Sequence, residues 1–138
     1  MVINVKLDRG AHLPVRAHAT DAGADIRCIA GFTIAPRAHA TIRTGVHVQL
    51  PAETVGMVKS KSGLNIFRNV ISEGVIDEGF TNQIIVKLYN LGDNAAHFNA
   101  GDKITQLVIM PVYYPDYVQV DGIEGGERGD AGYGSTGR

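Results

Sequence analysis

Apolar and polar residues alternate in short runs along this chain, and no segment holds a 3.6-residue apolar period for three turns. The pattern breaks every several residues into β-rich stretches: Val2 to Leu7, Ala24 to Ile29, His39 to Arg43, Val46 to Leu50, Val55 to Lys59, Gln83 to Asn90 and Lys103 to Val112. Turn formers such as Gly31, Pro36, Gly45, Pro51 and Gly92-Asp93-Asn94 separate them. Seven short strands predict an all-β domain, a barrel or a sandwich. In Val46-His-Val-Gln-Leu50 every second residue is apolar, as in a strand with one wet face. Ile104 to Met110 is apolar on both faces, which predicts a strand covered twice, with another subunit as a source of the second cover.

Two segments depart from simple alternation. Ser62 is a good N-cap, and Gly63-Leu-Asn-Ile-Phe67 carries few strand signals, so a helix of about two turns is expected there. Between Asn69 and Gln83, Val70-Ile71 and Val75-Ile76 flank Ser72-Glu73-Gly74 and are followed by Asp77-Glu78-Gly79, a pattern that predicts a hairpin with turn residues at both ends. From Gly122 onward the character changes. Six of the last fourteen residues are Gly, and this stretch cannot pack a core. Taken alone it reads as a disordered terminus. Its interleaved Arg128, Tyr133, Ser135 and Thr136 nevertheless supply a cation, a stacking ring and two hydroxyls beside unhindered glycine amides, the parts of a phosphate and base clamp. The expected organisation is therefore one domain, 1–121, and a Gly-rich arm, 122–138.

Length and charge narrow the function. At 138 residues, one core is the expectation. With 13 basic and 14 acidic residues, the net charge of -1 gives no surplus for sequence-independent binding to nucleic acid or anionic lipid, so any phosphate site must be local. The lone Cys28 sits in an apolar stretch and reads as a small buried hydrophobe, which suits a reducing, cytoplasmic setting. No apolar run approaches the ~20 residues of a spanning helix, and the N-terminus carries no charged leader. The five histidines lack ligand spacing, so no transition-metal site is expected.

Five segments, in order from Ala19 to Gly137, together resemble the trimeric dUTP pyrophosphatase (dUTPase) family. Ala19-Thr-Asp-Ala-Gly-Ala-Asp-Ile-Arg-Cys28 is similar to its first motif. Gly56-Met-Val-Lys-Ser-Lys-Ser-Gly-Leu64 resembles Pro-Arg-Ser-Gly-Leu, with Ser60 and Lys61 for Pro and Arg. Gly74-Val-Ile-Asp-Glu-Gly-Phe80 is similar to the Gly-x-Ile-Asp-x-x-Tyr hairpin. Gly101-Asp-Lys-Ile-Thr-Gln-Leu107 resembles Gly-Asp-Arg-Ile-Ala-Gln-Leu, with Lys103 for Arg and Thr105 for Ala. Arg128-Gly-Asp-Ala-Gly-Tyr-Gly-Ser-Thr-Gly137 resembles the closing glycine motif.

The resemblance implies roles. Asp77 would orient and deprotonate a water attacking the α-phosphorus of dUTP, releasing dUMP and pyrophosphate. The main chain of Gly74, Val75 and Ile76 would read uracil's edge, and Phe80 would lie beneath the deoxyribose, leaving no room for a 2'-hydroxyl. Lys61, Ser62, Gly63 and Gln106 would hold phosphate oxygens; lysine at 61 keeps the charge but loses arginine's planar fork. Asp25 would hold Mg2+ through water, since this ion keeps several of its waters. Arg128 would take the γ-phosphate, Tyr133 would stack on the base, and Gly134, Ser135 and Thr136 would complete the shell as the arm closes.

The resemblance further implies a distorted jelly-roll-like barrel, the dUTPase-like β-clip, assembled as a homotrimer whose sites are shared between chains. Neither nucleic acid nor membrane is an expected partner. Three other readings compete: a deoxycytidine triphosphate deaminase on the same barrel, a nucleotide-dependent regulatory protein, and a jelly-roll shell subunit. The last leaves Asp77, Arg128 and Tyr133 without a purpose.

Overall fold

The computed structural model describes residues 1–126 and Gly129. Ten strands and one helix follow in the order β1 (Asn4–Leu7), β2 (Gly23–Arg27), β3 (Phe32–Ile34), β4 (His39–Arg43), β5 (Val46–Gln49), β6 (Thr54–Lys59), α1 (Ser62–Arg68), β7 (Val70–Ile76), β8 (Ile85–Asn90), β9 (Ala96–Phe98) and β10 (Lys103–Pro111). The fold is all-β, as the alternation predicts. All seven expected strands form within two residues of their expected ends, a scatter usual for element boundaries. The expectation missed β3 and β9, which are three residues each and pair only with one another. Strands so short carry almost no periodic signal. What secures them is tertiary: the Phe32 and Phe98 rings stack with centroids 4.7 Å apart.

Six strands form a curled half-barrel in the order β2-β10-β6-β7-β8-β4, flanked by the ribbons β1-β5 and β3-β9. Inward positions alternate as a pleat requires. Val46 and Val48 are buried along β5 and Leu50 directly after it, and Val86, Leu88 and Asn90 along β8. With Ile26, Ile34, Val58, Val70, Ile84, Phe98, Ile104 and others they form one core; each fully buried Ile or Val contributes roughly 2 kcal/mol by leaving water. Cys28 is in that core, and its thiol donates to the Asn99 carbonyl at 3.0 Å. Burial pushes its pKa up, consistent with an inert structural thiol.

The region from Asn69 to Gln83 differs from expectation. Ser72-Glu73-Gly74 makes no turn, and Val70–Ile76 is one continuous strand. The first half of β7 pairs with β8 (Val70↔Asn90) and the second with β6 (Gly56↔Ile76), so backbone bonds are available on both sides and the turn propensity is overridden. The chain reverses only after Ile76, where the Phe80 amide donates to the Asp77 carbonyl at 3.0 Å. In β10, a register shift between Lys103 and Thr105 against β2 places the consecutive residues Ile104 and Thr105 both inside. Further along, Met110 remains exposed.

Helix α1 has the expected two turns, but its N-cap is Lys61, which is extended and makes no side-chain cap; Ser62 is the first helical residue. The Asn65 amide to the Lys61 carbonyl, 2.9 Å, is the first helical bond, so the Ser62 hydroxyl is not spent on capping. Asn69, left-handed at φ 54°, ends the helix. Seven residues would not stay helical alone; Leu64 packing against the core holds them. Among the described residues no helix is long and apolar enough to cross a membrane.

Candidate active site

The phosphate-binding candidates meet where β6 ends. Antiparallel pairing sets Gln106 of β10 opposite Lys59 of β6 on one side and Asp25 of β2 on the other. Lys61 and Ser62 follow directly as β6 turns into α1. Together with Asp21 and Lys103 they line a pocket of about 360 Å³, within the size of a small-ligand site. A larger concavity, about 650 Å³, lies between the segment 14–22, β10 and the residues ahead of β1, and its lining holds none of the expected site residues.

Asp25 is the electrostatic centre of this pocket. Its side chain is only 7% exposed, and each oxygen faces an ammonium: Oδ1 that of Lys61, Oδ2 that of Lys103 at 2.6 Å. Burial alone would raise its pKa, but hydrogen bonds from Lys103 and then Lys61 outweigh burial and hold the carboxyl below its ordinary range. The pocket's formal charges balance, Lys61 and Lys103 against Asp25 and Asp21, but both ammonium groups lie on the one buried carboxylate. Asp21, at the rim, is engaged with His18.

Gln106 lies along the wall, and its amide donates to the Ser60 carbonyl at 3.0 Å, which leaves a second N–H on the same nitrogen. The reason for glycine at position 23 becomes visible here: a Cβ there would lie 2.2 Å from Gln106 Oε1. Gly63 is different, since a Cβ on it would meet nothing within 4 Å, so packing within the chain does not demand glycine there.

Asp77 is elsewhere. Ile76 is paired with Gly56 and Glu73 with Lys59, so Asp77 lies at the Thr54 end of the β6–β7 ladder while Ser62, Gln106 and Asp25 gather at the Lys59 end. Four residues at about 3.3 Å each separate the two levels by about 13 Å, beyond any hydrogen bond. The Asp77 side chain is exposed and makes no hydrogen bond or ion pair with the described residues. It borders a second cavity of about 400 Å³ with Glu78 and Tyr114. Val75 (60% exposed) and Phe80 (40%) accompany it, whereas Ile76 is buried and Gly74 half-buried.

Sequence reasoning missed the partners at both ends. In the fourth motif Lys103 reads only as a replacement for Arg, yet it places a second ammonium on Asp25. Glu78 accepts from the Glu53 amide at 2.9 Å and the Tyr114 hydroxyl at 2.6 Å, tying the Asp77 turn to the start of β6 and to the segment after β10. The Tyr114 hydroxyl holds the Glu78 pKa low, and Glu78 in turn pushes the tyrosine up to about 12. Nothing in the local pattern marks Tyr114. The expected clamp residues Arg128, Tyr133, Gly134, Ser135 and Thr136 lie outside the described residues.

A curled sheet with a lysine- and aspartate-lined pocket at one strand end and a carboxylate turn at the other defines an all-β protein with two separate polar sites. The dUTPase family model matches residues 9–137. A deoxyuridine 5'-triphosphate nucleotidohydrolase of Tropheryma whipplei (strain Twist) is 39% identical over 136 residues, 96% of this chain and 93% of that protein. The protein of the same name from Mus musculus is 34% identical, covering 97% and 83%. Among solved structures, a mutant dUTPase of Staphylococcus bacteriophage 80alpha with dUpNHpp superposes with a TM-score of 0.91 at 29% identity, covering 99% of both chains. A mutant of the phage phi11 enzyme, described for its coordination of a structural Mg(II) ion, gives 0.81 at 27% identity, covering 88% of this chain and 98% of that one. The chain belongs to the dUTPase family.

Proposed function

We propose that this protein hydrolyses dUTP to dUMP and pyrophosphate, keeping dUTP scarce and supplying dUMP for thymidylate synthesis, and that it does so as a cytoplasmic homotrimer with shared sites. The observation that carries the shared site is the separation of Asp77 from the Asp25–Lys61–Gln106 pocket along one ladder. One chain supplies the pocket, a second its Asp77 turn, and a third its arm, 122–138, on the body formed by 1–121. The exposed Val75, Phe80 and Met110, and Tyr113 and Tyr117 at over 90% exposure, are apolar surface of the kind that subunits cover.

In this reading Lys61, Ser62, the Gly63 amide and Gln106 bind the phosphate chain. The main chain of Gly74, Val75 and Ile76 pairs with uracil and penalises cytosine by leaving buried groups unpaired. Phe80 presses on the deoxyribose. Asp77 is exposed and has no side-chain partner among the described residues, and in this reading its carboxylate holds a water in line with the leaving pyrophosphate and takes its proton. Arg128, Tyr133, Gly134, Ser135 and Thr136 close the pocket and exclude water.

The donor chemistry around Asp25 fits Mg2+ held through water. A carboxylate offers about four lone-pair positions, and Lys61 and Lys103 use two of them, leaving two to accept from the ion's waters beside the proposed phosphate pocket. Bound there, Mg2+ would neutralise charge on the triphosphate.

The test is pyrophosphate release from a panel of nucleoside triphosphates with and without Mg2+. Release from dUTP alone, increased by Mg2+, is expected; equal release from dCTP, dTTP and UTP, or release of ammonia, would overturn the assignment.

A further inference from the structure

Where β6 stops at Lys59, its two neighbours are joined directly, side chain to side chain. Ser72 Oγ of β7 lies 2.7 Å from Thr105 Oγ1 of β10, and these residues are 2% and 0% exposed. Thr105 donates its one proton to the Lys59 carbonyl at 2.9 Å, so Ser72 must be the donor of the bond between them. A second hydroxyl works from the turn itself. Ser60 Oγ accepts from the Ser72 amide at 2.8 Å and donates to the Ser72 carbonyl at 3.0 Å. On the other side, Gln106 holds the Ser60 carbonyl. The two residues that precede Lys61 and Ser62 are thereby fixed from both flanking strands by five hydrogen bonds, and no side-chain nitrogen or oxygen buried among the described residues lacks a partner.

We infer that Ser72 and Thr105, together with Ser60, are positioning residues for substrate affinity: their hydroxyl network sets where Lys61 and Ser62 present their groups to the phosphate chain. Stiffness at residue 60 is needed because Lys61 must reach Asp25 and Ser62 must begin α1 within two residues. Proline, which the similar motif carries at that position, would supply stiffness covalently. Serine leaves the backbone free, and here hydrogen bonds restrain it instead. Ala at 105, which the similar fourth motif has, could not complete that network; Thr105 can. The two departures are thus complementary.

The inference rests on the pocket of Lys61, Ser62 and Gln106 being the phosphate site, and steady-state kinetics of the full chain on dUTP separates the two claims. Thr105→Val keeps the shape and removes the hydroxyl; KM is expected to rise about tenfold, the scale of one buried hydrogen bond, with kcat within about twofold. Thr105→Ser, which retains the hydroxyl, is expected to restore KM. Should Thr105→Val fail to fold, Ser72→Ala leaves the Lys59 bond in place and is expected to raise KM about threefold. An unchanged KM in the folded variant, with only the unfolding midpoint lowered, overturns the positioning role, as does a Thr105→Ser variant as weak as valine. If Ser62→Ala raises KM while Thr105→Val does not, the positioning role alone is lost. If neither Ser62→Ala nor Lys61→Met moves KM, the pocket itself is not the phosphate site and the inference falls with it.

Discussion

The two ends of the β6–β7–β10 ladder are built differently. At the Lys59 end, charges are paired and half withdrawn from water: Asp25 is buried between two lysines, Gln106 is anchored, and hydroxyls fix the turn. At the Thr54 end, Asp77 stands in solvent on a turn closed by the Phe80 amide on the Asp77 carbonyl and braced through its neighbour Glu78. A phosphate pocket must be organised before its ligand arrives, because reorganising buried charges costs affinity. A general base can be presented from a turn, provided that something else desolvates it. Under the proposed function, the contrast teaches that one chain folds the binding half of a site and leaves the chemical half to be completed by assembly.

Removing the chemical half has the largest expected effect. Asp77→Asn should lower turnover by roughly 10^2- to 10^4-fold while leaving dUTP affinity and the unfolding midpoint nearly unchanged, as the side chain is exposed and makes no ion pair with the described residues. Calorimetric titration beside an assay of pyrophosphate release checks both halves. Co-refolding that variant with Ser62→Ala chains sharpens the comparison: if sites are shared, roughly a quarter of them pair an intact pocket with an intact Asp77, and activity returns. If each chain is self-sufficient, mixing restores nothing.

Deleting the chain from Glu127 should leave the assembly intact by sedimentation yet reduce activity about a hundredfold, because the pocket can no longer expel water. Full activity in that truncation would show the arm to be idle.

At the Lys59 end, Asp25→Asn strands two ammonium groups against one another. Partial exposure of the lysines, 26% and 37%, moderates the loss, so about 2 kcal/mol of stability should disappear in urea unfolding. Gly23→Ala is a milder test: a Cβ displaces the Gln106 amide, and KM should rise several-fold without loss of kcat.

The smallest effect is on pH dependence. The folded-state pKa of Asp25 lies below its ordinary 3.8, so its stabilising contribution is complete above about pH 4 and disappears as pH falls below that. Urea midpoints measured without Mg2+ between pH 6 and 3 should therefore fall more steeply for the wild type than for Asp25→Asn.

Much of this was legible in the residues. Period-two alternation located seven strands, since a half-buried pleat imposes that pattern locally, and Ser62 with its followers located the helix. The motifs singled out Asp25, Lys61, Ser62 and Gln106, which the structure brings to one pocket, and Asp77, which it keeps apart. Less was legible wherever a second element decides the outcome. Ser72-Glu73-Gly74 has turn composition, yet ladders on both sides hold it straight. Phe32–Ile34 and Ala96–Phe98 are too short to announce themselves until they pair. Lys103, Glu78 and Tyr114 carry their meaning only through partners tens of residues away.

By itself, then, the sequence determined the local preferences: which stretches extend, where the chain turns, and which side chains can do phosphate chemistry. Tertiary structure alone decided which of those side chains share a pocket and which stand at opposite ends of a sheet. Register is the physical reason. The side-chain pattern of a strand says which face is buried, but only pairing with its neighbours says what lies at the same height.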